Sequence, residues 1–204
     1  GACDQGSHAN ADIDNNVAIG YQALLGGDIG DGNKNVTDNV AIGYQAMDGT
    51  GTVGGNLNVF VGKSAGGGSW TTNESNNNVG VGQSVMAGAM NGAHSNTGLG
   101  TSALTALTTG DSNVAIGSLA LDAQTTGSNN IAIGYEALGD LNHLDADANV
   151  AVGNYAGNTG DSQDLVNAKL NTLIGYASKT STASADNQTV IGYAASGQAD
   201  NSVT

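Results

Sequence analysis

Residues 16–24, Asn-Val-Ala-Ile-Gly-Tyr-Gln-Ala-Leu, constrain the fold more than any other stretch, because the chain writes them again and again. Residues 39–47 read NVAIGYQAM, 113–121 read NVAIGSLAL and 130–138 read NIAIGYEAL. Looser copies start at Asn58, Asn78, Asn96, Asn149, Asn171 and Gln188. That makes ten copies, with successive starts 23, 19, 20, 18, 17, 17, 19, 22 and 17 residues apart. A fixed motif joined by spacers of unequal length marks a solenoid, in which each copy forms one turn of a coil. Runs such as YQALL and YEAL contain good helix formers, but Gly, Asn or Thr cuts each one short of a persuasive helix. The expected fold is therefore all-β: a parallel β-solenoid of about ten turns of 17–23 residues.

The columns of the repeat carry the chemistry. The fifth is Gly in every copy: Gly20, Gly43, Gly62, Gly82, Gly100, Gly117, Gly134, Gly153, Gly175 and Gly192. A glycine required once per turn predicts a structural corner with positive φ or a backbone approach too close for a Cβ. The second column is Val, Ile or Thr and the fourth Ile, Val or Leu. Two places apart on a strand, they share a face, which is expected to be the core. The eighth column is Ala in eight copies and implies a thin place between two walls. The first is Asn in nine, suited to a side-chain ladder at a bend.

The third column lies between the two expected core positions and should face the other way. It holds Ala18, Ala41, Phe60, Gly80, Gly98, Ala115, Ala132, Ala151, Leu173 and Val190, without one polar side chain. A strand apolar on both faces is usually buried on both. Ala18, Ala41, Phe60, Ala115, Ala132, Ala151, Leu173 and Val190 are thus the expected inter-subunit face, with a homotrimer favoured over a monomer.

Residues 1–15 contain no copy and form a non-repeat segment, and since they do not begin with Met a processed N-terminus or a cut from a longer chain is expected. Residues 16–204 form one repeat domain, and 201–204 read as the opening of an incomplete further copy. No apolar run reaches signal-peptide or membrane-spanning length. Cys3 is the only cysteine, which excludes an internal disulfide. With 33 Gly, no Pro, one Phe and one Trp, stability must come from repeated small contacts. Eighteen acidic residues against four Lys give a net charge of −14, which argues against nucleic acid or an anionic membrane as partner. Such a surface suits an extracellular location.

Catalytic and metal chemistry finds little to build on. His8, His94 and His143 have no second His or Cys at ligand spacing. The run from Asp145 to Asn149 imitates half an EF-hand loop but has Val150 where the glycine belongs. Oxygen-rich spacers at 12–15 and 28–33 are where Ca²⁺ would find ligands, although solvated turn carboxylates explain them as well. Glu74 and Glu136 are the only glutamates, and no aspartate pair stands out for glycoside hydrolysis. No catalytic, cofactor-binding or metal-binding residue is assigned, and no enzyme is expected. Trp70, with Tyr21, Tyr44, Tyr135, Tyr155, Tyr176 and Tyr193, offers sugar-stacking platforms or a register ladder. Asn35, Asn73 and Asn187 head glycosylation sequons, close to the chance number in so Asn-rich a chain.

The Asn-x-x-Ile-Gly copies resemble the head repeats of YadA-like trimeric autotransporter adhesins and the NVAIG-type repeats of bacteriophage tail fibres. Residues 19–24 also fit the hexapeptide pattern of left-handed β-helix acyltransferases, but once per turn rather than three times in tandem. The adhesin resemblance covers residues 16–204 and departs in turn length, since adhesin-head turns are shorter. It implies a left-handed β-roll or β-helix, an extracellular fibre or adhesin at a cell surface or on a virion, self-association as a trimer, and a host glycan or surface receptor as partner. The alternatives are a filament subunit joined end to end and an ice-binding solenoid. The latter needs a Thr array, and the second column has Thr only at Thr97, Thr172 and Thr189.

Overall fold

The computed structural model describes residues 14–25, 35–50, 53–141, 146–158 and 168–204. Each copy contributes one three-residue strand: β1 (Val17–Ile19), β2 (Val40–Ile42), β3 (Val59–Val61), β4 (Val79–Val81), β5 (Thr97–Leu99), β6 (Val114–Ile116), β7 (Ile131–Ile133), β8 (Val150–Val152), β9 (Thr172–Ile174) and β10 (Thr189–Ile191). They pair in chain order as one parallel ten-stranded sheet. The register follows the motif, with Val114↔Ile131, Ala115↔Ala132 and Ile116↔Ile133 between β6 and β7. The chain is a parallel β-solenoid, and its described residues contain no helix.

The glycine column stops every strand after three residues. Its φ lies between +130° and +144°, a region closed to ordinary L side chains. In the first nine copies an added Cβ would collide with the carbonyl of the next glycine in the stack: that of Gly117 with Gly134, that of Gly134 with Gly153. Gly192 meets only the Ala195 Cβ, at 3.5 Å. After the glycine the backbone alternates in hand. Gln22 and Leu24 have φ of 55° and 51°, and Leu119 and Leu121 of 60° and 52°. This turn wall hydrogen-bonds between copies just as the strands do. Gln45 N–H donates to Tyr21 O at 2.9 Å, and Leu24 N–H to Ala46 O at 2.8 Å. Backbone groups are thus satisfied mainly up and down the stack, with turn bonds such as Leu107 N–H to Leu104 O (3.1 Å) closing within a copy.

The strands face the opposite way from the sequence expectation. Ala41, Phe60, Ala115, Ala132, Ala151, Leu173 and Val190 are fully buried, and Ala18 packs partly buried against the same cluster. The third column is therefore core and cannot be the inter-subunit face. The second and fourth columns point outward, with Ile19 and Ile191 both 58% exposed. The physical reason is the width of the coil. The third column faces the buried eighth column (Ala23, Ala46, Ala65, Ala103, Ala120, Ala137, Ala156), and walls this close favour small side chains between them, with Phe60, Leu173 and Val190 the larger members of the third column. Phe60 fits only because glycines make way: a Cβ on Gly66 would lie 2.8 Å from its ring and one on Gly80 2.5 Å.

Larger core side chains come from the ninth column (Leu24, Met47, Met86, Leu104, Leu121, Leu138) and from the spacers (Trp70, Met90, Leu107, Leu141). The spacers are thus more than surface loops. Trp70 is 1% exposed and sits edge-on to Phe60, with ring centroids 6.5 Å apart, so it cannot serve as a sugar platform.

The first column forms the expected ladder. Asn113 Nδ2 donates to Asn96 Oδ1 at 3.1 Å and to Gly127 O at 2.9 Å. Its Oδ1 accepts from Asn130 N at 3.0 Å and from Asn130 Nδ2 at 3.3 Å. Both donors and both lone pairs are used, which is what lets a primary amide be fully buried. The pattern runs from Asn16 to Asn171. At Gln188 it turns aside: the longer side chain donates to Ser181 Oγ at 2.7 Å and accepts from Ser181 N at 3.0 Å.

Candidate interaction surface

Because the strand is flat and its inner side is filled by small residues, everything large on it projects outward. The second, fourth and sixth columns stand side by side and form one wall along the sheet. Its first two ladders are β-branched except for Leu99. The third begins Tyr21, Tyr44, Lys63, Gln83, Thr101, Ser118 and continues Tyr135, Asn154, Tyr176, Tyr193. Val17, Val81, Leu99, Ile133 and Ile174 are exposed among the aliphatic members, and Tyr193 is 82% exposed.

Charge is distributed against this wall. None of the acidic residues occupies any of its thirty positions, and Lys63 is the one charged side chain there. A chain of net charge −14 has thus kept all thirty positions of this wall free of acidic residues.

The tyrosines contact each other along the wall. Tyr21 and Tyr44 stack at 5.5 Å with 16° between planes, and Tyr176 and Tyr193 at 5.3 Å with 11°. Tyr155, from the seventh column, bridges the gap at Asn154, lying 5.3 Å from Tyr135 and 5.8 Å from Tyr176 in edge-to-face contacts. These ring contacts run from copy to copy, as a register ladder does. The Tyr135 hydroxyl is pushed up to about 12, chiefly by its hydrogen bond to Glu136.

The carboxylates are placed elsewhere, and four of them, Asp111, Asp147, Asp186 and Asp200, lie in a second ladder two residues before the Asn column. Here a backbone N–H donates to the next copy's side chain, opposite in direction to the Asn ladder. Thr37 N donates to Asn56 Oδ1 (2.9 Å), Asn56 N to Asn76 Oδ1 (2.7 Å) and Asn76 N to His94 Nδ1 (3.2 Å). His94 N then donates to Asp111 Oδ1 (2.6 Å), Asp111 N to Ser128 Oγ (3.0 Å) and Ser128 N to Asp147 Oδ1 (2.6 Å). Lys169 N to Asp186 Oδ1 (2.9 Å) and Asp186 N to Asp200 Oδ1 (3.0 Å) continue it. Sequence reasoning missed this ladder, although a short polar residue stands at that place in most copies. His94 and Asp147 are accordingly backbone acceptors.

On the turn wall, burial raises the Asp122 carboxyl above its ordinary value, and the nearby charges of Asp140 and Glu136 add to the effect. Burial likewise raises Asp48. Among the described residues no group of three or more His, Cys, Asp or Glu is arranged to hold a metal ion. Residues 12–13 and 28–33 of the Ca²⁺ expectation, with Cys3, His8, His143 and Asp145, lie outside the described residues. The ten glycines sit where the sequence placed them, at the strand ends. No described helix is long and apolar enough to cross a membrane. Comparison of the chain with known protein families, with curated proteins and with solved structures returns no match.

Proposed function

We propose that this chain is a non-catalytic structural and adhesive segment of an extracellular fibre, and that it associates with copies of itself through the wall of the second, fourth and sixth columns. The observation that carries the reading is that wall: apolar, continuous along ten strands and free of carboxylates in a strongly acidic chain. Twenty partly exposed side chains in its two inner ladders amount to on the order of 1,000 Å², more than the roughly 300–600 Å² of the largest patch on an ordinary monomer. A nucleic acid or an anionic surface would meet repulsion from the rest of the molecule. A second copy meets little at this face, because Lys63 is the one charged side chain among its thirty positions.

Cyclic symmetry lets such walls converge around an axis parallel to the stack, and a homotrimer is the arrangement we favour. The acidic loops then face outward, where they keep the fibre soluble and are free to meet a glycan or surface receptor. Light scattering of the wild-type chain and of Ile116→Glu/Ile133→Glu tests the reading. The wild type should be trimeric at micromolar concentration and the variant a folded monomer. A monomeric wild type would overturn the self-association, and long filaments in electron micrographs would favour end-to-end joining instead.

A further inference from the structure

Inside the solenoid one spacer position is occupied in successive copies by Leu107, Gln124 and Leu141, each three residues beyond the ninth column and each fully buried. A glutamine therefore stands between two leucines in an apolar stack. Neither Gln124 Oε1 nor Nε2 has a hydrogen-bond partner in the protein, and Thr126 Oγ1, two residues on, is likewise buried and unpartnered. The Asn ladder next to it shows how this fold treats a buried amide elsewhere, with every donor and acceptor engaged.

The surroundings are polar on one side. Gln124 Nε2 lies against Gly127, where an added Cβ would strike both the amide nitrogen and Ala146 O. The carbonyls of Gly127 and Ala146 each accept one hydrogen bond, from Asn113 Nδ2 at 2.9 Å and from Asn130 Nδ2 at 2.8 Å. Each carbonyl has two lone pairs, so each retains capacity for another donor. An amide with two donors and two lone pairs, a hydroxyl and carbonyls with spare capacity provide the two to four partners that a buried water uses. The glycine at position 127 lets the amide come directly against its backbone, between that backbone and the Ala146 carbonyl.

We propose that the spacer of the sixth copy encloses an internal hydration site, in which ordered water bridges the Gln124 amide to neighbouring polar groups of the coil. Gln124 is the anchor of this site, and the leucines before and after it in the stack confine it to one layer. The water is held by the same logic that governs the Asn ladder, where each buried amide donor and acceptor meets a partner.

A high-resolution crystal structure of the full chain tests this. Solvent density should lie within about 2.7–3.2 Å of Gln124 Nε2 or Oε1 in the wild type. Gln124→Leu should continue the Leu107–Leu141 stack and remove that density. Water relaxation dispersion should count at least one fewer long-lived internal water in the variant. A wild-type map with only protein atoms around the amide would overturn the proposal, as would an undiminished count in a folded Gln124→Leu. If that variant does not fold, the wild-type map decides alone.

Discussion

On β6 and β7 the inward residues Ala115 and Ala132 are fully buried, while outward neighbours such as Ile133 remain in solvent. One strand thus carries its smallest side chain inside and its largest outside, the reverse of the usual half-buried strand. The difference teaches that burial follows available width before hydrophobicity. Where Ala115 and Ala132 face the Ala120 and Ala137 wall, a methyl group fills the space. The larger residues are then free to build a second apolar surface, one that can meet another molecule.

The largest test of this contrast is at the strand end. Gly117→Val drives a Cβ into the Gly134 carbonyl at a φ of +134° and should cost more than about 4 kcal/mol, enough to prevent folding. Ser118→Val, one place on and on the outer wall, should stay within about 0.5 kcal/mol. Equal melting temperatures for the two variants would refute the corner.

Next comes the pair that separates the two faces directly. Ala132→Glu buries a charge and should cost about 4 kcal/mol or more. Ile133→Glu should change unfolding of the isolated chain by less than about 1 kcal/mol and act on self-association instead. Chemical denaturation beside light scattering reads both, and a reversed order would put the faces back where the sequence expectation had them.

Asn113→Ala sharpens the comparison from the side of the ladder. It leaves Gly127 O and Asn130 N without their partners, removes one of two bonds from Asn96 Oδ1 and from Asn130 Nδ2, and should cost about 2–4 kcal/mol. Replacement of the exposed Asn154 by Ala, measured in parallel, should cost far less.

The smallest effect concerns Asp122. Its carboxyl is raised by burial, so the folded state prefers it protonated. That contribution to stability is fully present below the unfolded value near 3.8 and is lost as pH rises through the raised folded value. Asp122→Asn should therefore stabilise the protein at neutral pH by a few tenths of a kcal/mol after solvent screening, and by nothing near pH 3. Thermal melts at the two pH values show it, and a gain that persists at pH 3 would point to another cause.

The repeat, the parallel register, the glycine corner, the Asn ladder and the small eighth column were all legible in the sequence. Each depends on one residue type recurring at one place, and stacking identical residues in register has a single geometric outcome. Alternation along Val114-Ala115-Ile116 likewise showed that the first and third share a face, yet it could not say which face is the inside when both are apolar. Only the tertiary structure decided that, by setting the distance between the strand wall and the turn wall. That distance comes from the alternating-handed backbone after each glycine, which residues such as Gln22, Leu119 and Leu121 do not announce by type. The same return path carries Trp70, Leu107 and Gln124 into the interior from spacers whose composition reads as surface. Local chemistry fixed what each copy repeats, and the closure of the coil fixed which way it faces.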